Sequence, residues 1–464
     1  MSYTDISEIV LHGEKYAGTK VRVAGWVRTA RDSKTMAFLA LNDGTSLKHL
    51  QIVIDKSKFS SDELAPCLKN GVSVEAEGEV VAAVAAGSGF EINAEALSLI
   101  GDCPSDYPLQ KKYHSMEFLR TVPHLRVRTN TFNAMLRVRS KVSFALHRFF
   151  QERGYTYIHT PIITGSDCEG AGEIFRVTTN GYEEAKTAAD EAEYIARDFF
   201  RRKAGLTVSG QLEGEVAAMA MGKIYTFGPT FRAENSNTPR HAAEFWQIEP
   251  EVAFAKLPDI IKIAESMIKY VIGAVLDECP DEIDFFEKAF EKGLRAKLEA
   301  VVSSDFAVLD YTDAIELLKK ADEKFAYPVE WGLDLQTEHE RYLTEKVLGK
   351  PVFVTNYPKK IKSFYMKQNP DGRTVAATDL LVPGVGEIIG CSEREADYDK
   401  LLEAMTERGM NLDDYKGYME LRKYGTVPHS GFGLGLERIL MYVTGIGNIR
   451  DVQLYSRTAG DLMA

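Results

Sequence analysis

The sequence predicts an α+β protein: a small all-β barrel, then a larger domain in which a central antiparallel sheet is flanked by helices. Three observations carry this. Apolar and polar residues alternate with period two through residues 20–100, and from Thr131 apolar residues recur at spacings of three and four. Beyond residue 150, ribbon-like segments are joined by turn formers and do not alternate regularly with helices.

In residues 20–100, "VRVAGWV", "FLAL", "LQIVI", "VSVEAEGEVVAA" and "EINAEALSLI" read as short strands, punctuated by Asp-Gly, Asn-Gly and "AAGSG". About five strands in so short a segment suggest a closed barrel of the OB-fold type, assigned here to residues 1–103. A polar connector with Pro104, Pro108 and Pro123 occupies residues 104–130. The larger domain, residues 131–464, opens with a helix marked by Met135, Val138, Val142, Ala145 and Phe149 and capped near Gly154. "YTYIHTPIIT" reads as a strand, with Pro161 indicating an edge or an interface. A charge-rich helical insertion is expected over about 257–320, and the domain closes on strand, glycines and helix in "SGFGLGLERILMYVTG".

No apolar run approaches the ~20 residues that cross a bilayer, and "MSYTDISEIV" lacks a basic-then-apolar signal segment. The five cysteines (Cys67, Cys103, Cys168, Cys279, Cys391) are scattered without a CxxC pair, which argues against a zinc site or a disulfide framework and favours the cytoplasm. Net charge is −12, yet Thr19 to Lys58 holds eight basic residues against three acids. Such a local basic face is compatible with phosphate binding, although solvated surface is the commoner cause of such a cluster.

Three runs carry candidate chemistry. In "PTFRAENSNTPRHAAEFWQIEPE", two strands joined by a turn-rich loop would carry Arg232 and Glu234 at period two on the first and Phe245, Gln247, Glu249 and Glu251 at period two on the second, all on one shared face. Arginine among carboxylates suits a zwitterion beside a phosphate; a salt-bridged sheet surface is the plainer reading. In "GFGLGLER", Gly431, Gly433 and Gly435 leave one strand face bare, for a flat ring or for tight packing, and Arg438 follows on the helix. In "TDLLVPGVGEIIGCSERE", Asp379 and Glu387 form a possible hard-cation pair near Arg394.

Together these runs resemble the three signature motifs of class II aminoacyl-tRNA synthetases of the aspartyl subgroup, and most nearly the bacterial asparaginyl branch. The likeness extends through "GWVRTARDSK", "SDCEGAGEIFRV", "LTVSGQLEGE", "VAATDLLVPGVGEIIG" and "YGTVPHSGFGLGLERIL", in one order along nearly the whole chain. It implies a ligase that uses ATP and Mg²⁺ to activate L-asparagine as its adenylate and transfers it to tRNA(Asn). Aspartate activation, or tRNA-independent asparagine synthesis on the same catalytic fold, are the alternatives.

By that resemblance Arg232, Arg438 and Glu387 are the catalytic set. Arg232 would hold the α-phosphate, Phe245 and Arg438 would sandwich adenine, Glu234 and His241 would line the ATP site, and Asp379 with Glu387 would carry Mg²⁺. Glu169, Gln211 and Glu249 would surround the α-ammonium, and Arg394 would meet the side-chain oxygen. Aspartyl enzymes resemble "SPQLxKQ" where this chain has "SGQLEGE", with Gly214 at the lysine position. Glu215, with Glu213 as rival, is therefore expected to accept from the substrate amide and repel a carboxylate. Arg28, Phe38 and Gln51 match anticodon-reading positions, although for Phe38 taken alone a place in the barrel core is the favoured reading. Pro161 matches the motif of a two-fold homodimer. Two departures stand out: the tail "LYSRTAGDLMA" lacks the family's prolines at Ser456 and Ala459, and Cys391 replaces a common glycine.

Overall fold

The computed structural model describes residues 2–83, 89–168, 174–236 and 238–462. They form two compact units, Met1–Ala134 and Met135–Ala464.

In the first unit, β1 (Lys20–Asp32), β2 (Met36–Asn42), β3 (Leu50–Asp55), β4 (Ser73–Ala82) and β5 (Phe90–Gly101) close a barrel in the order β1-β2-β3-β5-β4. Period-two patterning builds its core: Ala37, Leu39 and Leu41 of β2 point inward to meet Val23, Ile52, Val74 and Ile92. Phe38 and Ala40 take the opposite face. Closure needs strong curvature at β4, and Gly78 supplies it beside a bulge, since a Cβ there would sit 2.1 Å from the Asn93 carbonyl oxygen. The connector expected at 104–130 carries two short helices, Met116–Thr121 and Pro123–Arg126.

The second unit is built on an eight-stranded sheet. Its remaining strands in chain order are β6 (Thr156–Tyr157), β7 (Ile163–Thr164), β8 (Gly205–Leu206), β9 (Lys223–Phe231), β10 (Glu244–Ala253), β11 (Ala307–Asp310), β12 (Val352–Thr355), β13 (Ala377–Val382), β14 (Gly386–Glu393) and β15 (His429–Gly435). The sheet order is β11-β12-β13-β14-β15-β10-β9-β6, with β7 and β8 paired apart. The six central strands are antiparallel, as expected, while the edge pairs β11/β12 and β6/β9 are parallel. The helix Leu257–Glu278 packs across β14 and β15 through Ile260, Ala264, Met267, Ile268 and Val271, the i, i+4, i+7 stripe of an amphipathic helix. One sheet face is thereby closed, and the other is left for a site.

Three local expectations are corrected. "YTYIHTPIIT" is not one strand, because β6 ends at Tyr157 and pairing resumes only at Ile163, beyond Pro161, which has no N–H to donate. The helical stretch 257–320 is interrupted by β11, an edge strand of the main sheet. β9 ends at Phe231, so Arg232 and Glu234 stand in the loop beyond it. Among the described residues no helix is long and apolar enough to cross a membrane.

Candidate active site

The open sheet face walls a cavity of about 560 Å³. Phe245, Gln247, Glu249 and Glu251 all line it, so alternate residues of β10 face one way while Ile248 is buried on the other side. Arg232 reaches the cavity with its guanidinium 5.4 Å from the Phe245 ring centroid. Gly433 and Gly435 supply bare floor, but Gly431 does not. A Cβ at 431 would lie 2.1 Å from Glu251 Oε1, so that gap is filled by the protein's own carboxylate.

At one end the polar groups are deeply buried and mutually satisfied. The Arg394 Nε donates to Glu251 Oε2 at 3.2 Å, its Nη2 donates to Glu251 Oε1, and its Nη1 donates to Ser392 Oγ at 2.7 Å. Below them, Glu215 Oε1 accepts from Gln211 Nε2 (3.0 Å) and Tyr418 OH (2.9 Å), and its Oε2 accepts from Arg422 Nη2 (2.6 Å). The His429 Nε2 lies 2.9 Å from the same oxygen. Burial pushes the Glu215 carboxyl up, but Arg422, His429 and Arg394 outweigh it and hold the group ionised well below the usual range. Burial raises Glu251, with Arg394 opposing and Glu215 adding to the rise. Glu249 is held on the wall by Ser209 Oγ, the Gly210 N–H (2.9 Å) and Thr226 Oγ1 (3.1 Å).

This arrangement corrects the reading of Glu215. The residue is 0% exposed and absent from the cavity wall, with four partners on its two oxygens, so no acceptor position is left for a substrate amide. Glu213, half-buried, does not line the cavity either. Glu169 lies outside the described residues. Gln211, Glu249 and Arg394 do meet at this end of the cavity.

The other end is looser. Asp379 and Glu387 approach each other beside Gly390: a Cβ at 390 would be 3.4 Å from Glu387 Oε1 and 3.8 Å from Asp379 Oδ1. Two carboxylates flanking a bare backbone position fit a hard cation that also takes phosphate oxygens, as Mg²⁺ does. Among the described residues no larger ligand cluster of His, Cys, Asp or Glu is present. The Arg438 Nη1 donates to the Glu387 carbonyl (2.9 Å) and lies 3.2 Å from Oε2, and the Lys362 Nζ lies 2.5 Å from Asp379 Oδ2. Burial raises both carboxyls. For Asp379 it prevails over Lys362, whereas Arg438 and Lys362 bring Glu387 below its ordinary value. His241 and Glu234 line the same region, and burial lowers the His241 pKa. Sequence reasoning passed over Lys362, Asp334 and Glu340, all on the wall. Burial, then the charge of Glu387, pushes Glu340 up to about 7.

The divergent tail packs against this site. The Arg457 carbonyl accepts from the Ala243 N–H (2.7 Å), Ser456 is buried, and Thr458 and Ala459 line the cavity. Cys391 also lines it; burial pushes the thiol up, which makes it a poor nucleophile.

On the barrel, Phe38 is half-exposed on the outer face, which excludes the core reading. Gln51 pairs with Ala40 and Phe38 with Val53, so Phe38 and Gln51 share that face one diagonal apart. Gln51 Nε2 donates to Glu91 Oε2 (2.8 Å). Arg28 sits at the β1 bulge and donates to Asn130 Oδ1 (3.1 Å). Arg31, directly opposite Phe38, was not singled out in the sequence; only the pairing register brings it there.

An antiparallel sheet that serves as the floor of a nucleotide-sized polar cavity, in a chain that also carries an OB-type barrel, defines the class II synthetase architecture. The chain belongs to the tRNA synthetases class II (D, K and N), whose family model matches residues 115–459, and residues 21–100 match the OB-fold nucleic acid binding domain. It is 54% identical over 458 residues to an asparagine–tRNA ligase of Acetivibrio thermocellus, covering 99% of both chains. It is 55% identical over 460 residues to that of Clostridium tetani, again covering 99% of each. The fold is similar to asparaginyl-tRNA synthetase from Pyrococcus horikoshii complexed with asparaginyl-adenylate, with a TM-score of 0.87, 34% identity and full coverage of both chains.

Proposed function

We infer that this chain is an asparagine–tRNA ligase, which forms asparaginyl-adenylate from ATP and L-asparagine and transfers the asparaginyl group to tRNA(Asn). The observation that carries this is the single cavity in which the β10 column, Arg232, Arg438 and the Asp379–Glu387 pair all meet. The asparagine carboxylate oxygen attacks the α-phosphorus and the bond to pyrophosphate breaks. The terminal ribose hydroxyl of the tRNA then attacks the carbonyl carbon, and AMP leaves. An ionised carboxylate needs no general base for the first step, so the chain's work is alignment and charge stabilisation.

In this reading Arg232 holds the α-phosphate, and Phe245 and Arg438 hold adenine between them. Glu234 and His241 border the nucleotide, and Gln211 and Glu249 receive the α-ammonium. Asp379 and Glu387 would hold Mg²⁺, which when bound neutralises phosphate oxygens. The buried Arg394–Glu251 pair supports a preference for the amide. Arg394 is already neutralised, so a side-chain carboxylate would add an uncompensated charge among buried acids, whereas an amide oxygen would not.

The outer face bearing Phe38 and Gln51 supports anticodon binding, with base stacking on the ring and Arg28 on the adjoining strand β1. A two-fold homodimer built around Pro161 and a cytoplasmic location complete the proposal; free, scattered cysteines support the latter. The test is ATP–pyrophosphate exchange with asparagine or aspartate, followed by charging of purified tRNA. Exchange and charging with asparagine alone is the expected result, and exchange driven only by aspartate would overturn it.

A further inference from the structure

Lys362 is a side chain for which the mechanism above has no use. It enters the cavity from the segment after β12, where its carbonyl accepts from Arg408 Nη2 (2.9 Å) and the neighbouring Lys359 N–H bonds the Arg373 carbonyl (2.9 Å). The backbone is thus tethered, while the side chain ends 2.5 Å from Asp379 Oδ2 and 4.0 Å from the Tyr357 ring centroid. Lys362 and Asp379 remain 15% and 13% exposed, toward the cavity both line.

The ammonium therefore already occupies, in charge and in place, part of what a divalent cation would take. Mg²⁺ coordinates carboxylate oxygens at about 2.0–2.1 Å in near-octahedral geometry. An oxygen already in contact with an ammonium cannot offer the same lone pair, and two cations at that separation repel. Arg438 already answers Glu387, and Lys362 is the cation left to Asp379; among the described residues the cavity wall carries eight carboxylates against five Arg and Lys side chains, so neither cation is in surplus before nucleotide arrives.

We propose that Lys362 is a resident counter-ion of the Asp379–Glu387 pair, held on Asp379 in the nucleotide-free enzyme and displaced from it by the divalent cation that accompanies ATP. This rests on the ATP-dependent reading above. It makes Lys362 a competitor of the metal before it can be a partner of the phosphates, so removing it should strengthen metal binding. A lysine that merely supports the site would give the opposite sign.

The test is Mn²⁺ binding to the nucleotide-free enzyme, followed by the electron paramagnetic resonance signal of the free ion, for wild type, K362M and K362R. K362M should bind Mn²⁺ about tenfold more tightly than wild type, and K362R, which keeps the charge, should match wild type. Equal or weaker Mn²⁺ binding by K362M overturns the proposal. If K362M does not fold, K362Q replaces it and is read in the same way. Should the wild-type protein show no asparagine-dependent exchange, the ligase reading falls, while the metal titration still decides the role of Lys362.

Discussion

The two ends of the cavity are both built from acids and cations, yet they are built differently. At the buried end, Arg394 and Glu251 are 4% and 1% exposed, Arg422 and Glu215 are wholly buried, and partners crowd nearly every donor and acceptor. At the looser end, Arg438 and Glu387 keep 25% and 38% of their side chains exposed, and Asp379 is shared between Lys362 and Tyr357. A saturated network has one arrangement and leaves little freedom for rearrangement when ligand binds. Half-exposed pairs are weakly held and can change partner. Discrimination of a small side chain needs the first kind of site, and handling a polyphosphate with its metal needs the second.

The comparison breaks first if the buried end proves dispensable. Glu215→Ala leaves Arg422 and His429 without their shared anion and should destabilise the second unit by ~3–5 kcal/mol in urea unfolding. A loss below ~1 kcal/mol would show that the network is relaxed and not rigid. At the looser end the effects should separate. Arg438→Ala should lower kcat for pyrophosphate exchange by about 10²–10³ while shifting stability by less than ~1 kcal/mol. Comparable losses in both would erase the distinction.

Glu340 sharpens the contrast through pH. Its folded pKa is raised from the ordinary 4.5 to about 7, so the folded state keeps a proton that the unfolded chain releases. The stability this contributes is complete below about pH 4.5 and is lost as pH rises through 7, by at most ~3 kcal/mol. Glu340→Gln should flatten the fall in stability between pH 5 and 8, measured by thermal unfolding; an unchanged slope would place the titrating group elsewhere.

Much of this was legible in the chain because it depends on short-range periodicity. The alternation in "FWQIEPE" fixed which face of β10 would carry Phe245, Gln247, Glu249 and Glu251, and all four line the cavity. The five barrel strands were equally readable from turn signals and period two. What stayed hidden depends on distant partners. Gln211 and Glu215 stand four residues apart on one helix, which suggests contact, but nothing local says that Tyr418, Arg422 and His429 converge on Glu215 from two hundred residues away. Lys362 sits in "YPKKIK", where three lysines look alike, and only the fold selects the one that meets Asp379. The edge strand β11 was masked by helical segments on either side.

The missing side chain at position 431 has a consequence for anyone who would redesign substrate choice. Because the Glu251 carboxylate fills that vacancy, residues 251 and 431 behave as one heritable unit: enlarging the glycine evicts the acid, and the acid's eviction strips Arg394 of its companion. Libraries that vary either site alone will sample mostly broken pockets, so the two codons have to be randomised together.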